Sequence, residues 1–152
     1  MSDIAHGNWL LPMPFIYSWR VSEAQIDHYN HVNNVVYVGQ LEKTAWEHSN
    51  SLGLTIEQYQ SLDRGMAIFR HEIDYLAAAV LDDRVSCATW IVACDHKLKL
   101  TRQFQFIRDS DGVTLLKART DFVCIALSSG RPKRMPKIFS DIYGDALVTL
   151  NR

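Results

Sequence analysis

The spacing of apolar residues changes once along this chain, and the change sets the architecture. From Asn34 to about Gly53, in NVVYVGQLEKTAWEHSNSLG, apolar residues recur at helical spacing. Val35, Val38, Ala45 and Trp46, with Tyr37, Leu41 and Thr44, cover more than one stripe, which predicts a helix surrounded by other elements. Ser51-Leu52-Gly53 ends it, and TIEQYQSLDRG (55–65) predicts one or two further turns stopped by Gly65. Thereafter the period is two. AIFRHEIDY puts Phe69, His71, Ile73 and Tyr75 on one face and Arg70, Glu72 and Asp74 on the other. KLKLTRQFQF sets Leu98, Leu100, Phe104 and Phe106 against Lys97, Lys99, Gln103 and Gln105. Such alternation predicts a sheet with one wet face.

RVSCATWIVACD (84–95) and VTLLKARTDFVCIAL (113–127) complete four consecutive strands, and FIYSWRVS (15–22) reads as an earlier one. The turns between them, VLDD, DSDG and SSGRP, predict meander connections. One long helix and an antiparallel sheet give an α+β domain in which the sheet wraps around the helix. With 152 residues, 47% of them hydrophobic, and no linker or repeat, a single domain over 1–152 is expected.

Sixteen Lys+Arg against 17 Asp+Glu leave no general field to hold nucleic acid or an anionic membrane, so an anionic ligand must meet a local basic group. Cys87, Cys94 and Cys124 are odd in number, lie in apolar runs and lack C-x-x-C spacing, which suits reduced thiols. MSDIAHGNWLLPMPF has an acid where a signal peptide is basic, and Pro12 and Pro14 break its apolar run. A cytoplasmic protein is the expectation.

The chemistry concentrates in 27-DHYNHVNN-34, immediately before the helix. Asn33 or Asn34 is a natural N-cap. A helix N-terminus also presents unpaired N–H groups and a positive dipole end, able to polarise a carbonyl and hold the oxyanion formed on attack. Asp27 just upstream is placed to be a nucleophile or a general base for water. Together they predict acyl transfer. His28 and His31 have H-x-x-H spacing without a third nearby ligand, so no metal is expected.

DHYNHVNNVVYVGQLEKTAW resembles the signature of the hotdog-fold thioesterases of the 4-hydroxybenzoyl-CoA thioesterase type, D-x-x-G-H-V-N-N-x-x-Y-x-x-x-x-E. It is also similar to the D-x-N-x-H-V-N-N-V-x-Y-x-G segment of plant acyl-carrier-protein thioesterases. Downstream, DYLAAAVLDDRV resembles the family's D-Y-x-x-P-A-x-x-G-D-x-V, and GRPKRMP the turn after its last strand. The resemblance implies a hotdog fold and hydrolysis of acyl-CoA or acyl-carrier-protein thioesters. It further implies a homodimer or homotetramer with sites between subunits, and no metal or redox cofactor. It makes Asp27 the catalytic carboxylate and the Asn34 amide the donor to the thioester carbonyl. Asn30 stands where the family has Gly, Tyr29 where the plant enzymes have a catalytic Asn, and Ala78 and Asp82 where the later motif has Pro and Gly.

His31 is either the base or, preferably, an anchor bonding the loop to the core. Glu42 shares a stripe with Val35, Val38 and Ala45, where an acid is costly unless paired, and a structural partner is expected for it. Tyr37, Glu42, Arg64, Phe69 and His71 are candidate substrate contacts, with Met66 and Trp46 setting pocket depth. The basic run Arg131 to Arg134 reads as a solvated turn or a contact for a coenzyme A phosphate. A hotdog enoyl-CoA hydratase using Asp27 and His31, and a non-catalytic acyl-thioester-binding module, are the competing readings.

Overall fold

The computed structural model describes residues 8–148; the first seven residues of the N-terminal segment discussed above lie outside the described residues, as do 149–152. β1 (Phe15–Arg20) leads to α1 (Asn34–Ser51) and the short α2 (Ile56–Ser61). β2 (Arg64–Tyr75), β3 (Arg84–Cys94), β4 (Lys99–Arg108) and β5 (Thr114–Ala126) follow, then α3 (Lys137–Asp145). The strands form one antiparallel sheet in the order β1-β3-β4-β5-β2. The expected meander therefore holds only for β3, β4 and β5. β3 has two edges, taken by β1 and β4, so β2 lies at the far side against β5 and residues 76–83 cross between the two sides of the sheet.

α1 lies against one face of this sheet. Tyr37 and Leu41 are buried against Trp19, Phe104 and Phe106, and Thr44 and Ser49 continue the buried stripe. The other apolar stripe is not covered: Val35 is 75% exposed and Ala45 and Trp46 are half-buried. A single sheet can cover only one side of a helix, so the expected enclosure is corrected to a half-open one among the described residues. A second cluster joins Tyr59 of α2 to Phe139 and Tyr143 of α3 under the other end of the sheet. α3 has no counterpart in the sequence expectations, although Ile138, Phe139, Ile142 and Tyr143 recur at i, i+1, i+4 and i+5 after Pro136.

The face opposite α1 is not uniformly wet. Trp9, Leu11 and Val148 pack over Ala88 and Trp90, and Trp90 Nε1 donates to the Pro12 carbonyl at 2.9 Å. Gln105, expected in solvent, is 1% exposed because this segment covers it. Its amide accepts from the Leu10 N–H at 2.9 Å and donates to the Asn8 carbonyl at 3.0 Å, so its polar ends are satisfied.

Two local expectations also change. Helix α2 ends before Asp63, whose φ of +54° turns the chain, so Gly65 is not the stop but lies in β2. A Cβ there would come within 2.8 Å of Leu127 Cδ2. A bulge between Ile68 and Arg70 shifts the alternation by one, so Ile68, and not Phe69, shares a face with His71. Cys87 and Cys124 are buried, Cys94 is half-buried, and all three are unpaired. None of the described helices is long and apolar enough to cross a membrane.

Candidate active site

The DHYNHVNN segment is a tight turn held by its own backbone. The Asp27 N–H donates to the His31 carbonyl at 2.9 Å and the Asn30 N–H to the Asp27 carbonyl at 3.0 Å, while Ile26 and Val32 form an isolated bridge. An Asp27 carboxylate oxygen accepts the Tyr29 N–H at 2.8 Å, which fixes the side chain over the turn. The geometry requires residue 30 to take a φ of +63°. Asparagine tolerates that left-handed conformation where most residues do not, so Asn30 does the conformational work of the glycine in the related motif. Asp82, at the second glycine position, has a φ of +69° in the same way. Asn30→Gly is therefore expected to change stability by less than about 1 kcal/mol, and Asn30→Val to cost about 1–2 kcal/mol. Equal losses for the two in urea denaturation would contradict the requirement.

Where the turn meets α1, Asn33 is the cap. Its side-chain oxygen accepts the Val35 N–H at 3.0 Å and its carbonyl the Val36 N–H at 2.9 Å. The Asn34 N–H is then left at the positive end of the helix without an acceptor among the described backbone hydrogen bonds. The loop is tied down by the Val32 N–H on the Ala79 carbonyl and the Asn33 N–H on the Gln25 carbonyl, each 3.0 Å. His31 is exposed and its imidazole makes no hydrogen bond among the described residues, so the expected side-chain anchor is replaced by these main-chain bonds.

The remaining candidates separate into two groups. Tyr37 is 3% exposed and its hydroxyl accepts the Ala79 N–H at 3.0 Å. It therefore ties the helix to the AAAVLDD crossing, with no free surface for the substrate contact expected of it. Arg64 donates to the carbonyls of Leu62, Asp63 and Arg134, each at 3.1 Å, and so braces the exposed Arg131–Arg134 turn. Glu42 and His71 line a cavity, whereas Phe69, on the bulge, is 54% exposed. Glu42 itself is exposed and makes no ion pair among the described residues, so the structural partner expected for it is not found among them.

The cavity, of about 70 Å³, lies between the second half of α1 and the sheet and does not reach Asp27 or Asn34. Its walls include Leu41, Ala45, Ile68, Phe104 and Phe122. Arg102 also lines it, at 2% exposure. Its guanidinium donates to His48 Nδ1 at 2.8 Å and to Ser49 Oγ at 2.9 Å; Ser49 Oγ is 3.0 Å from the Tyr143 hydroxyl, which also bonds the Tyr59 hydroxyl. Burial, with the adjacent Arg102 charge, pushes His48 down to about 3, which keeps the ring neutral and Nδ1 an acceptor. Burial likewise drives the Tyr59 phenol far above its usual range and pulls Arg102 below its own. Sequence reasoning passed over Arg102. The signal was its parity, for it alternates with Leu100 and Phe104 on the face that packs against α1.

A sequence model of the thioesterase-like superfamily matches residues 21–142. The chain belongs to that superfamily. The matched region includes the Asp27 turn, α1 and the whole of β2–β5. No curated protein matches the sequence of this superfamily member. Solved structures do resemble it. A 1,4-dihydroxy-2-naphthoyl-CoA thioesterase from Synechocystis superposes with a TM-score of 0.78 at 20% identity, covering 88% of this chain and 97% of that one. A Staphylococcus aureus protein solved in complex with CoA gives 0.82 at 20% identity, with 96% and 93% covered. A DHNA-CoA thioesterase from the same species gives 0.79 at 16%, with 87% and 89% covered. The sheet and central helix of this thioesterase-like chain are thus the hotdog fold.

Proposed function

We propose that this superfamily member is a single-domain thioesterase, 1–152, that hydrolyses acyl-CoA or acyl-carrier-protein thioesters to free acid and thiol. The observation that carries the reading is one turn holding a carboxylate, Asp27, just ahead of an unengaged helix N-terminal donor, Asn34 N–H. That donor and the helix dipole would polarise the thioester carbonyl and take up the charge that develops on its oxygen. Asp27 then either adds to the carbonyl carbon, expelling the thiolate and leaving an anhydride for water to open, or takes a proton from the water that attacks. Superfamily membership and the CoA-linked names of the structural relatives support the substrate class. His31, exposed beside the turn, is the alternative base. Glu42, Phe69 and His71 stand as substrate contacts, and the exposed Arg131–Arg134 turn as the place for a coenzyme A phosphate.

The test is thiol release from a panel of acyl-CoA thioesters, run beside hydration of an enoyl-CoA. Thiol release without hydration is the expected result. Hydration without release would give the site to a hydratase, and tight binding with neither would make the chain an acyl-thioester-binding module.

The uncovered stripe of α1 and the unpaired edge of β2, with Ile68 and Phe69 exposed, supply what a symmetric partner would cover. We accordingly assign the chain a homodimeric or homotetrameric state, with the groove beside Glu42 completed by the second copy. Light scattering at micromolar concentration is expected to give at least twice the 17.4 kDa chain mass. A fully active monomer would rule the assembly out.

A further inference from the structure

Arg102 is buried at 2% exposure, yet no carboxylate lies within ion-pair distance of it among the described residues. Its guanidinium donates through Nη1 to the neutral ring of His48 and through Nη2 to the Ser49 hydroxyl. Glu42, the acid on the cavity wall, is exposed and stands seven residues before Ser49, about 10 Å along the helix axis. A charge taken out of water without a counter-charge is costly, and hydrogen bonds to neutral groups offset that only in part.

The cavity that Arg102 lines has room for a counter-ion. Its volume of about 70 Å³ is well above the roughly 10–15 Å³ that one water needs. The walls are mixed, with Glu42, His71 and Thr120 among Leu41, Phe104 and Phe122. On the floor, Arg102 is the register partner of Thr120 and Thr120 that of His71, so guanidinium, hydroxyl and imidazole stand side by side on three strands. His71 Nδ1 is 2.8 Å from the Thr120 hydroxyl oxygen. With the ring proton on Nδ1, that oxygen accepts from it and the hydroxyl proton is free for an anion. The Arg102 Nε–H takes no part in the bonds to His48 and Ser49, so a charged donor and a neutral one border the same space. This space is separate from the Asp27 turn. His48 and Ser49 follow Asn34 by 14 and 15 residues, about 21–23 Å along α1, and the cavity reaches neither Asp27 nor Asn34.

We propose that the cavity beside Arg102 is a binding site for a small monocarboxylate of the size of formate or acetate, held as a free ion and not as part of a thioester. The carboxylate pairs with the guanidinium, accepts the Thr120 hydroxyl and supplies the counter-charge that the described residues lack. Its two oxygens match the planar array of N–H donors, which a single halide ion cannot do. Gluconate has the same charge but is bulkier and carries hydroxyls along its whole length, which Leu41, Phe104 and Phe122 cannot satisfy. An anion bound only by the folded chain stabilises it by mass action. Thioester hydrolysis has no part in this, so the site stands or falls independently of the thioesterase reading.

The experiment follows the melting temperature of the full chain at constant ionic strength while sodium formate, acetate or chloride replaces sodium gluconate. Formate and acetate are expected to raise it saturably, by about 4 °C at roughly 100 mM, and chloride to raise it less. Arg102→Met is expected to abolish the response. Arg102→Lys, which keeps the charge without the planar donors, should retain a smaller shift and lose the advantage of acetate over chloride. No shift in the parent would overturn the proposal, and is the result expected if a carboxylate of a second copy fills the site. A shift equal for chloride and acetate, or one that Arg102→Met retains, would overturn it as well. If Arg102→Met does not fold, the parent's shift and its reduction in both Arg102→Lys and Thr120→Val decide.

Discussion

Asp27→Asn is expected to slow thioester hydrolysis by roughly a hundredfold or more, through the chemical step, while the protein stays folded and continues to bind acyl-CoA. The amide oxygen can still accept the Tyr29 N–H that the carboxylate accepts at 2.8 Å, so the turn keeps its shape. What is lost is the oxygen proposed as nucleophile or base. A thioester carbonyl is uncharged in the ground state, and the proposed acyl-CoA substrate would make most of its contacts through acyl chain and nucleotide, so affinity should depend little on this carboxylate. His31→Ala gives the contrast. Because the imidazole is exposed and the loop is held by main-chain bonds, its removal should leave the melting temperature near the parent value. A larger chemical defect in His31→Ala than in Asp27→Asn would move the base to His31.

Leu41→Ala is expected to cost about 2–5 kcal/mol of folding stability, whereas Val35→Ala on the same helix should change it by less than about 0.5 kcal/mol. Leu41 is buried against the sheet in the cluster with Trp19, Phe104 and Phe106, and truncating it opens a cavity that a rigid strand layer cannot close. Val35 sits on the uncovered stripe. Its truncation should act instead on association, weakening the concentration dependence of the unfolding midpoint. Urea melts of both variants at two protein concentrations check this. A loss at Val35 equal to that at Leu41, independent of concentration, would mean that the helix is enclosed within one chain.

Much of this was legible in the residues. The change of period from α1 to the strands fixed the α+β class, and the boundaries of α1 and β3–β5 fall within a few residues of those expected. What escaped was information not carried by local pattern. The position of β2 beside β5 depends on which strand edges are already taken, and alternation within β2 cannot report that. Gln105 reads as a wet residue until the segment bearing Asn8 and Leu10 is seen to cover it. The half-exposure of α1 could not be read from its composition, because an apolar stripe looks alike whether a sheet or a second copy covers it.

The site divides in the same way. The Asp27 turn and the Asn33 cap follow from residue chemistry at close spacing, including Asn30 and Asp82 in the conformation that glycine would take. Tyr37 misled because an aromatic one turn into the helix suits a substrate groove and a hydroxyl brace equally; only the Ala79 N–H on its oxygen separates them. Arg102 was hidden by its charge. A basic residue in an alternating strand is normally assigned to solvent, and its parity with Leu100 and Phe104 argued otherwise.

The measurement that bears most directly on the Asp27–Asn34 assignment is multiple-turnover thiol release from acyl-CoA, with the Asp27→Asn protein beside the parent and acyl-CoA binding measured for both. The assignment predicts many thiols released per parent chain, release slowed roughly a hundredfold or more by Asp27→Asn, and closely similar affinities. Equal release rates for the two proteins, or binding by the parent with no release from any acyl-CoA, would contradict it.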